Sequence, residues 1–457
     1  MAESFAAALA GRVVLVCGAR FAGAAAVRTC LRLGAAVNIT DSVRTAELPE
    51  LVAAGASFLG PLTTVPQRTD VLITSPGFPP THPLLVDALV RGFDVLGEVE
   101  LAWRLRPGGA PWLAVTGTNG KTTTVRMLES MLRAAGHRTL AVGNVGVSII
   151  DAVSADPPYD SLAVELSSFQ LHWSSTVRPR AGALLNLAPD HLDWHGSMDA
   201  YAAAKTRIWY ADTAIGNDDD PVVRTLLSQA RAARRIGFTL AEPKEGQLGV
   251  RDGSLVDRAF GEEATLAEVA DVRPAGRHNV ANALAAAALA RSDGVSPAAI
   301  RRGLRSFEPD PHRNQFLTDL DGVRYVDDSK ATNPHAAAAS LSAYARVVWI
   351  AGGQLKDAPV DDLVRDFADR LVAVVLLGAD RARIAAALAR HAPDVPVHDV
   401  DLTDDRAMTE VVRAAAGFAR PGDTVLLAPA AASYDMFSGY AARGQAFAAA
   451  VAALGTT

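Results

Sequence analysis

One strand-like run breaks into a glycine turn and reopens as a helix, and this constrains the chain more than any other segment. Trp112-Leu113-Ala114-Val115 is apolar, Thr116-Gly117-Thr118-Asn119-Gly120 turns, and Lys121 begins a helix-like stretch that Gly136 closes. A strand, a glycine turn and a helix in that order belong to layered α/β folds with mainly parallel sheets. The glycines let backbone N–H groups converge, and the helix N-terminus adds partial positive charge, so the turn is an anion cradle. Gly117, Thr118, Asn119, Gly120 and Thr123 shape that cradle, Lys121 supplies a point charge for the outer phosphates, and the Thr122 hydroxyl suits Mg²⁺. The expected ligand is a nucleoside triphosphate. The full phosphate-loop motif has a further glycine where Val115 stands. An ordinary turn before a helix is therefore the competing reading, and the flanking strand and helix favour phosphate.

Similar alternation of apolar strand-like and helix-like runs fills all 457 residues, a length that suggests roughly two to four domains. A first segment has strand runs at Val13–Val16, Ala35–Ile39 and Val71–Ile73, and ends at a Pro/Gly-rich break, Arg106-Pro107-Gly108-Gly109-Ala110-Pro111. The second carries the phosphate loop, strand runs at Thr139–Val142, Ser161–Val164 and Ala183–Leu185, and a last helix at Ala298–Leu304. After a second break at Phe307-Glu308-Pro309-Asp310-Pro311, the third has strand runs at Arg346–Ile350, Val372–Leu377 and Thr424–Leu427. The prediction is an α/β protein of three domains, 1–106, 107–308 and 309–457.

Composition removes several classes. A net charge of -6 gives no basic surface for nucleic acid. Cys17 and Cys30 are the only cysteines and lack metal-type spacing, which fits a reducing compartment. Met-Ala-Glu-Ser-Phe at the start has no basic region followed by an apolar core, so no secretory leader is expected. The alanine-rich runs Ala281–Ala290 and Ala446–Leu454 are shorter than the about 20 apolar residues of a membrane span. They read as buried or half-buried helices, and a cytoplasmic protein without membrane insertion is expected.

Further candidate residues stand at the ends of strand-like runs, where α/β sheets place their ligands. Gly18-Ala19-Arg20-Phe21-Ala22-Gly23 follows the first run and opens a helix, Asp41 ends the second, and Ser75-Pro76-Gly77 follows the third. These suit a nucleotide-like ligand or a turn with no ligand at all. Arg20 occupies the place of the middle glycine in the dinucleotide fingerprint, which argues against a dehydrogenase. Asn144 lies in a glycine-flanked loop, and Glu165 ends the strand before Leu166-Ser167-Ser168-Phe169-Gln170. A carboxylate there, near a phosphate loop, is a natural Mg²⁺ ligand, although alone it reads as a solvated or capping glutamate. His191, in Asp190-His191-Leu192-Asp193, also lies just past a strand, with His195 beyond it. Lys205 reads on its own as a solvated helical lysine.

Taken together, Gly117–Thr122, Glu165–Gln170 and Asp190–Asp193 resemble the Mur ligases, the ATP-dependent amino-acid ligases of peptidoglycan precursor synthesis. Asp328-Ser329-Lys330-Ala331-Thr332-Asn333 is similar to the signature of those members that add D-glutamate to UDP-N-acetylmuramoyl-L-alanine. The resemblance covers all three segments in order. It implies a Rossmann-like N-terminal domain, a central phosphate-loop ATPase-like domain and a Rossmann-like C-terminal domain. It also implies ATP and two Mg²⁺ ions as cofactors, and a monomer.

The same resemblance implies roles. Lys121 would bind the β- and γ-phosphates, and Thr122 and Glu165 would hold one Mg²⁺. His191 would contact the second, helped by Lys205 as a carbamate, which turns a cation into an anion. Asn279 and Arg313 would touch ATP, and Asp328 its ribose. Lys330, Thr332, Lys356, Ser433 and Tyr440 would form the D-glutamate site. Phe21, Ala22, Asp41, Ser42, Ser75, Gly77 and Asn144 would line the UDP-sugar site. Tyr440 stands where phenylalanine is usual, Asp357 where glycine is common, and Arg20 is unexpected in the first glycine loop. A folylpolyglutamate-type ligase should lack the first domain, so the residues before Pro107 argue against it. A nucleotide-switched binding module needs no second metal site, so Glu165, His191 and Lys205 argue against that.

Overall fold

The computed structural model describes residues 2–106, 109–356, 358–402 and 406–455. Pro107 and Gly108 of the first break, and Asp357, lie outside the described residues. By its contacts the chain forms two compact units. One comprises Met1–Asp271 with Ala281–Phe307, the other Val272–Val280 with Glu308–Thr457.

The first unit contains two sheets. Its first has β1 (Val13–Cys17), β2 (Ala36–Thr40), β3 (Ser57–Phe58), β4 (Val71–Thr74) and β5 (Val95–Gly97), ordered β3-β2-β1-β4-β5 with every pair parallel. The sequence Val-Val-Leu-Val-Cys of β1 is apolar at every position because both faces of a parallel sheet are covered. Strand order reverses between β1 and β4, so the loops after these two strands diverge to opposite faces and leave a crevice at their carboxyl ends.

Its second sheet has β6 (Trp112–Thr116), β7 (Thr139–Gly143), β8 (Ser161–Glu165), β9 (Ala181–Leu184), β10 (Thr213–Asn217), β11 (Arg234–Phe238), β12 (Gln247–Arg251), β13 (Ser254–Asp257) and β14 (Ala264–Glu268). The order is β14-β13-β12-β11-β10-β9-β6-β8-β7. β6 therefore sits inside the sheet between β8 and β9, and the phosphate loop leaves a strand buried at every residue. Pairing is parallel from β7 to β12 and antiparallel through β13 and β14. The helix Lys121–Ala134 is clamped by Pro297–Ser306. A Cβ on Gly303 would stand 2.5 Å from the Met131 Cα, so glycine is what allows this approach, and the Ser130 hydroxyl donates to the Gly303 carbonyl at 2.7 Å. One apolar core runs through both sheets, from Val14 and Val16 to Ala114, Val164 and Leu184.

In the second unit β15 (Gln315–Leu320), β16 (Val323–Asp327), β17 (Val347–Gly352), β18 (Leu371–Leu377), β19 (Val397–Asp399) and β20 (Thr424–Leu427) are ordered β15-β16-β20-β17-β18-β19. All pairs are parallel except β15 with β16. Separate apolar clusters cover its two faces, one around Trp349 and Leu426, the other around Val348 and Val425. Ala283–Ala290 are fully buried within the helix Arg277–Ser292, and Ala446–Leu454 lie in the helix Tyr440–Leu454. Among the described residues no helix is long and apolar enough to cross a membrane. Cys17 and Cys30 are buried thiols, each pushed up to about 12 chiefly by burial.

Candidate active site

Gly120 takes a left-handed φ of 85° at the junction of β6 and its helix, which turns the chain so that Lys121 starts the first helical turn. A Cβ at Gly120 would lie 2.4 Å from the Asn282 Oδ1, so the position is closed to side chains twice over. Lys121 folds back, and its Nζ donates to the Gly117 and Thr118 carbonyls at 2.9 Å each. Thr122 is half-buried on the first turn and Thr123 is buried. The segment after β9 straps the loop in place. Asn119 N–H donates to the Asn186 Oδ1 at 2.8 Å, the Asn186 amide donates back to the Asn119 carbonyl at 3.1 Å, and Thr118 N–H donates to the Asn186 carbonyl. The Thr118 hydroxyl bonds with both polar groups of the Ala188 backbone and lies 3.0 Å from the Tyr201 hydroxyl. Sequence reasoning gave Asn186 and Tyr201 no role, and an asparagine just past a strand beside the loop's own strand was the available signal.

Glu165 ends β8, in register with Val115 of β6 and Gly143 of β7. This pairing brings the phosphate loop, the Gly143–Gly146 loop and the carboxylate to one sheet edge. The Asn144 side chain donates to Glu165 Oε1 at 2.9 Å, and the Asn144 N–H donates to the Glu165 carbonyl at 2.9 Å. Glu165 Oε2 is buried with no hydrogen-bond partner, a condition that buried carboxylates seldom keep without a ligand. Lys205 is 2% exposed, and its Nζ donates to the Gly117 carbonyl at 2.8 Å and the Thr116 hydroxyl at 3.3 Å. Burial first, then the charge of Lys121, hold its amine well below the usual lysine range, against the opposing pull of Asp190 and Glu165.

His191 is exposed, has a φ of 53°, and places Nε2 3.6 Å from the Asp190 Oδ2. Its ring stands 4.7 Å from that of Phe169. His195 turns away instead. Its Nε2 is 2.9 Å from the Ser168 hydroxyl, and burial, then the charges of His172 and His191, lower it to about 4. Among the described residues no three or more His, Cys, Asp or Glu side chains gather as a metal cage. Mg²⁺ keeps several waters and phosphate oxygens and needs only one or two protein oxygens. The Thr122 hydroxyl and the unpartnered Glu165 Oε2 fit that demand. Lys205 fits only if its amine is converted to a carboxylated form.

All seven residues expected to line a UDP-sugar site, Phe21, Ala22, Asp41, Ser42, Ser75, Gly77 and Asn144, stand on the wall of one cavity of about 610 Å³. It opens at the β1/β4 crevice. Gly18 has a φ of 94°, and a Cβ on Gly23 would fall 1.9 Å from the Gly18 carbonyl oxygen, so the helix Phe21–Arg32 can start this close only with glycine there. The Asp41 carboxylate accepts from the Ala19 and Val43 N–H groups at 3.0 Å each, so it fixes the glycine loop as well as facing the cavity. The Ser75 hydroxyl is buried without a partner. Arg20, Glu98 and Gln170 share the wall. Sequence reasoning gave Glu98 no role, and its place at the start of a helix just after β5 was the available signal. Glu98 is 4% exposed, accepts from the Ser148 hydroxyl at 3.2 Å, and is pushed up to about 7 mainly by burial.

The remaining candidates lie in the second unit: Asp328, Lys330, Thr332, Lys356 and Ser433 follow the strands β16, β17 and β20, Tyr440 opens the last helix, Arg313 precedes β15, and Asn279 lies in the helix Arg277–Ser292. Asp327 is fully buried, accepts from the Ser329 N–H at 2.9 Å and sits 2.6 Å from the His312 Nδ1. Asp328 is raised to about 6 by burial, an effect the nearby Arg313 opposes. Lys330 places its Nζ 3.8 Å from the centre of the Tyr440 ring, and the Thr332 N–H donates to the Lys330 carbonyl at 2.8 Å. Ser433 is buried, whereas Lys356 is exposed with a φ of 50°. Arg313 stands between His312 and Asn314, with φ of 63° and 50°, and the buried Asn279 directs its amide to the Ala275 carbonyl at 3.5 Å.

Comparison with known proteins bears on both units. A family described as the Mur ligase middle domain matches residues 115–290, and one described as the Mur ligase glutamate ligase domain matches 312–431. The chain is 58% identical to the UDP-N-acetylmuramoylalanine--D-glutamate ligase of Thermobifida fusca, over 98% of this chain and 99% of that one. It is 54% identical to the enzyme of the same name from Streptomyces avermitilis, over 97% and 99%. Among solved structures it is similar to the UDP-N-acetylmuramate-alanine ligase MurC of Thermotoga maritima, with a TM-score of 0.58, 17% identity, and 97% and 99% of the two chains covered. MurF of Acinetobacter baumannii gives 0.59 at 21% identity, over 86% and 87%.

Proposed function

This chain belongs to the Mur ligase family, and on that premise we propose that it uses ATP to join D-glutamate to UDP-N-acetylmuramoyl-L-alanine in peptidoglycan precursor synthesis. The observation that carries the reading is 58% identity, over nearly the whole of both chains, to a relative named for that reaction. The strapped phosphate loop and the unpartnered Glu165 Oε2 beside it support the ATP half.

A carboxylate is a poor electrophile, since its charge repels nucleophiles and oxide leaves badly. In the proposed reaction the L-alanine carboxylate oxygen attacks the γ-phosphorus of ATP, the bond to the β-bridging oxygen breaks, and ADP leaves with an acyl phosphate formed. The D-glutamate amine then attacks the carbonyl carbon, inorganic phosphate departs with its bonding pair, and the amine sheds a proton. No protein nucleophile is needed. Lys121 and the loop N–H groups at the helix N-terminus offset charge on the transferring phosphoryl group, which is a matter of position and electrostatics. Mg²⁺, held by Thr122 and Glu165 and at a second site by His191 and carbamylated Lys205, would add further charge neutralisation. Asn279, Arg313 and Asp328 would hold the nucleotide, and Lys330, Thr332, Lys356, Ser433 and Tyr440 the D-glutamate. The cavity beside Asn144 would hold the UDP-sugar. Domain limits of 1–106, 107–308 and 309–457, a monomeric cytoplasmic enzyme, and a part in cell shape and division complete the proposal.

Phosphate release from ATP with UDP-N-acetylmuramoyl-L-alanine tests it, comparing D-glutamate with L-glutamate, L-lysine and diaminopimelate. Release that needs both the UDP-sugar and D-glutamate is the expected result. Release with a different amino acid would keep the family and overturn the substrate. No release with any of them would leave a nucleotide-binding module.

A further inference from the structure

Arg443 is among the largest fully buried side chains, 1% exposed, in the helix Tyr440–Leu454. A guanidinium in such a place ordinarily has a carboxylate partner, because burying an unpaired charge is costly. Here no carboxylate lies within ion-pair distance among the described residues. Burial lowers its pKa to about 10, and Asp435 and Asp327 oppose this only from farther off. Its hydrogen bonds go instead to the ends of three strands. Nε donates to the Ser329 hydroxyl at 3.0 Å and Nη2 to the Ser329 carbonyl at 2.8 Å. Nη1 reaches the Ala431 carbonyl at 3.1 Å and the Gly352 carbonyl at 3.4 Å. The Ser329 hydroxyl in turn donates to the Tyr440 carbonyl at 2.8 Å.

Each loop so tied carries part of the proposed amino-acid site. Lys330 adjoins Ser329, Ser433 follows Ala431 by two residues, Lys356 follows Gly352 by four, and Tyr440 is itself the acceptor. The second and third loops are also zipped to each other, through mutual hydrogen bonds of 2.8 and 2.9 Å between Gln354 and Ala432. A planar fork with fixed donors is suited to holding carbonyls of different loops at set distances, and a lysine in its place would supply a point charge without that fork.

We propose that Arg443 is a positioning residue: its buried guanidinium sets the relative placement of the three loops that bind the amino-acid substrate. It touches no substrate itself. The inference rests on the reading of these loops as the D-glutamate site.

Steady-state kinetics on the full-length enzyme, with the KM for D-glutamate, ATP and the UDP-sugar measured separately, tests it. The variants are Arg443→Gln, Arg443→Lys, Ser329→Ala and Lys330→Ala. Arg443→Gln and Ser329→Ala should raise the KM for D-glutamate by roughly tenfold or more, about 1.4 kcal/mol, the size of one lost hydrogen bond to a charged group. Both should leave the other two KM values within about twofold, with Arg443→Lys falling between them and the parent. A rise in all three KM values together, or a fall in thermal stability with no change in any KM, would mean Arg443 merely holds the fold and would overturn the proposal. Should Arg443→Gln fail to fold, Ser329→Ala decides, since it removes one hydroxyl and leaves the arginine in place. Lys330→Ala separates the two claims. If it raises the D-glutamate KM while Ser329→Ala and the arginine variants do not, the site reading stands and the positioning role falls. If it leaves that KM unchanged, the loops are not the amino-acid site and both fall.

Discussion

Glu98 opens the helix Glu98–Leu105 on the wall of the cavity proposed for the UDP-sugar, and its carboxyl carries an energetic conflict that a single substitution should expose. Burial pushes it from 4.5 to about 7, with the charge of Asp151 adding to the rise and the Ser148 and Gln170 hydrogen bonds opposing it. Between those two values the folded chain holds a proton that the unfolded chain has released, so stability falls as pH rises through the window, the reverse of an ion-paired carboxylate. At about 1.4 kcal/mol per pH unit, the full loss above neutrality is at most about 3.5 kcal/mol.

Glutamine copies the protonated acid and can still accept from the Ser148 hydroxyl. Glu98→Gln should therefore match the parent near pH 4 and become the more stable of the two by up to about 3.5 kcal/mol at pH 8. Urea unfolding at a series of pH values, followed by tryptophan fluorescence, reads the difference directly. Other titrating groups cancel in the comparison. A stability gap that does not change with pH, or one that favours the parent at pH 8, would refute the reasoning. The same proton has a second consequence, since ionisation would add negative charge beside an anionic diphosphate. The UDP-sugar KM of the parent should thus rise as pH passes about 7, and that of Glu98→Gln should not.

Other expected outcomes follow from the same geometry. Lys121→Ala removes the point charge over the phosphate loop and should abolish ATP-dependent phosphate release; near-normal release would refute its role. Gly23→Ala places a methyl 1.9 Å from the Gly18 carbonyl oxygen, so it should weaken UDP-sugar binding by roughly fivefold to a hundredfold, from about 1–3 kcal/mol of overpacking, with the ATP KM unaltered. Burial, then the charge of Lys121, lower the pKa of the Lys205 amine, which favours the uncharged form that adds CO₂. Labelled bicarbonate should give a carbamate signal that Lys205→Met loses together with activity, and an intact signal in that variant would place the carbamate elsewhere.

Why some of this was legible in the sequence and some was not comes down to what each residue touches. β1 and β20 are continuous apolar runs, and the expected spans at Val13–Val16 and Thr424–Leu427 meet them within a residue, whereas β15, β16 and β19 carry polar residues and no apolar run announces them. The strands from Thr213 to Glu268 carry no such signature in the sequence. β10 and β11 carry Gly216 and Gly237, and β11 opens with Arg234 and Arg235 at exposed positions, so neither alternation nor an apolar run announces them. The phosphate loop was legible because its chemistry demands a glycine at left-handed φ followed by a lysine at a helix start, and few other needs produce that pair.

Lys205 and Arg443 lie at the other extreme. Each is a basic side chain buried almost completely, and each donates to backbone carbonyls. A backbone carbonyl leaves no trace in the sequence of the residue that owns it, so no spacing rule links Lys205 to Gly117 or Arg443 to Gly352. Lys205 could be singled out only through family resemblance, and Arg443 not even then. Groups that meet the ligand are selected for chemical type and so write motifs. Groups that hold those motifs in place are selected for reach and donor geometry, and they become visible only when the strand ends are brought together. The orphaned Glu165 Oε2 belongs to the first class and the forked donors of Arg443 to the second, which is why substitutions at the two should separate in kinetics: loss of turnover in the one, loss of amino-acid affinity in the other.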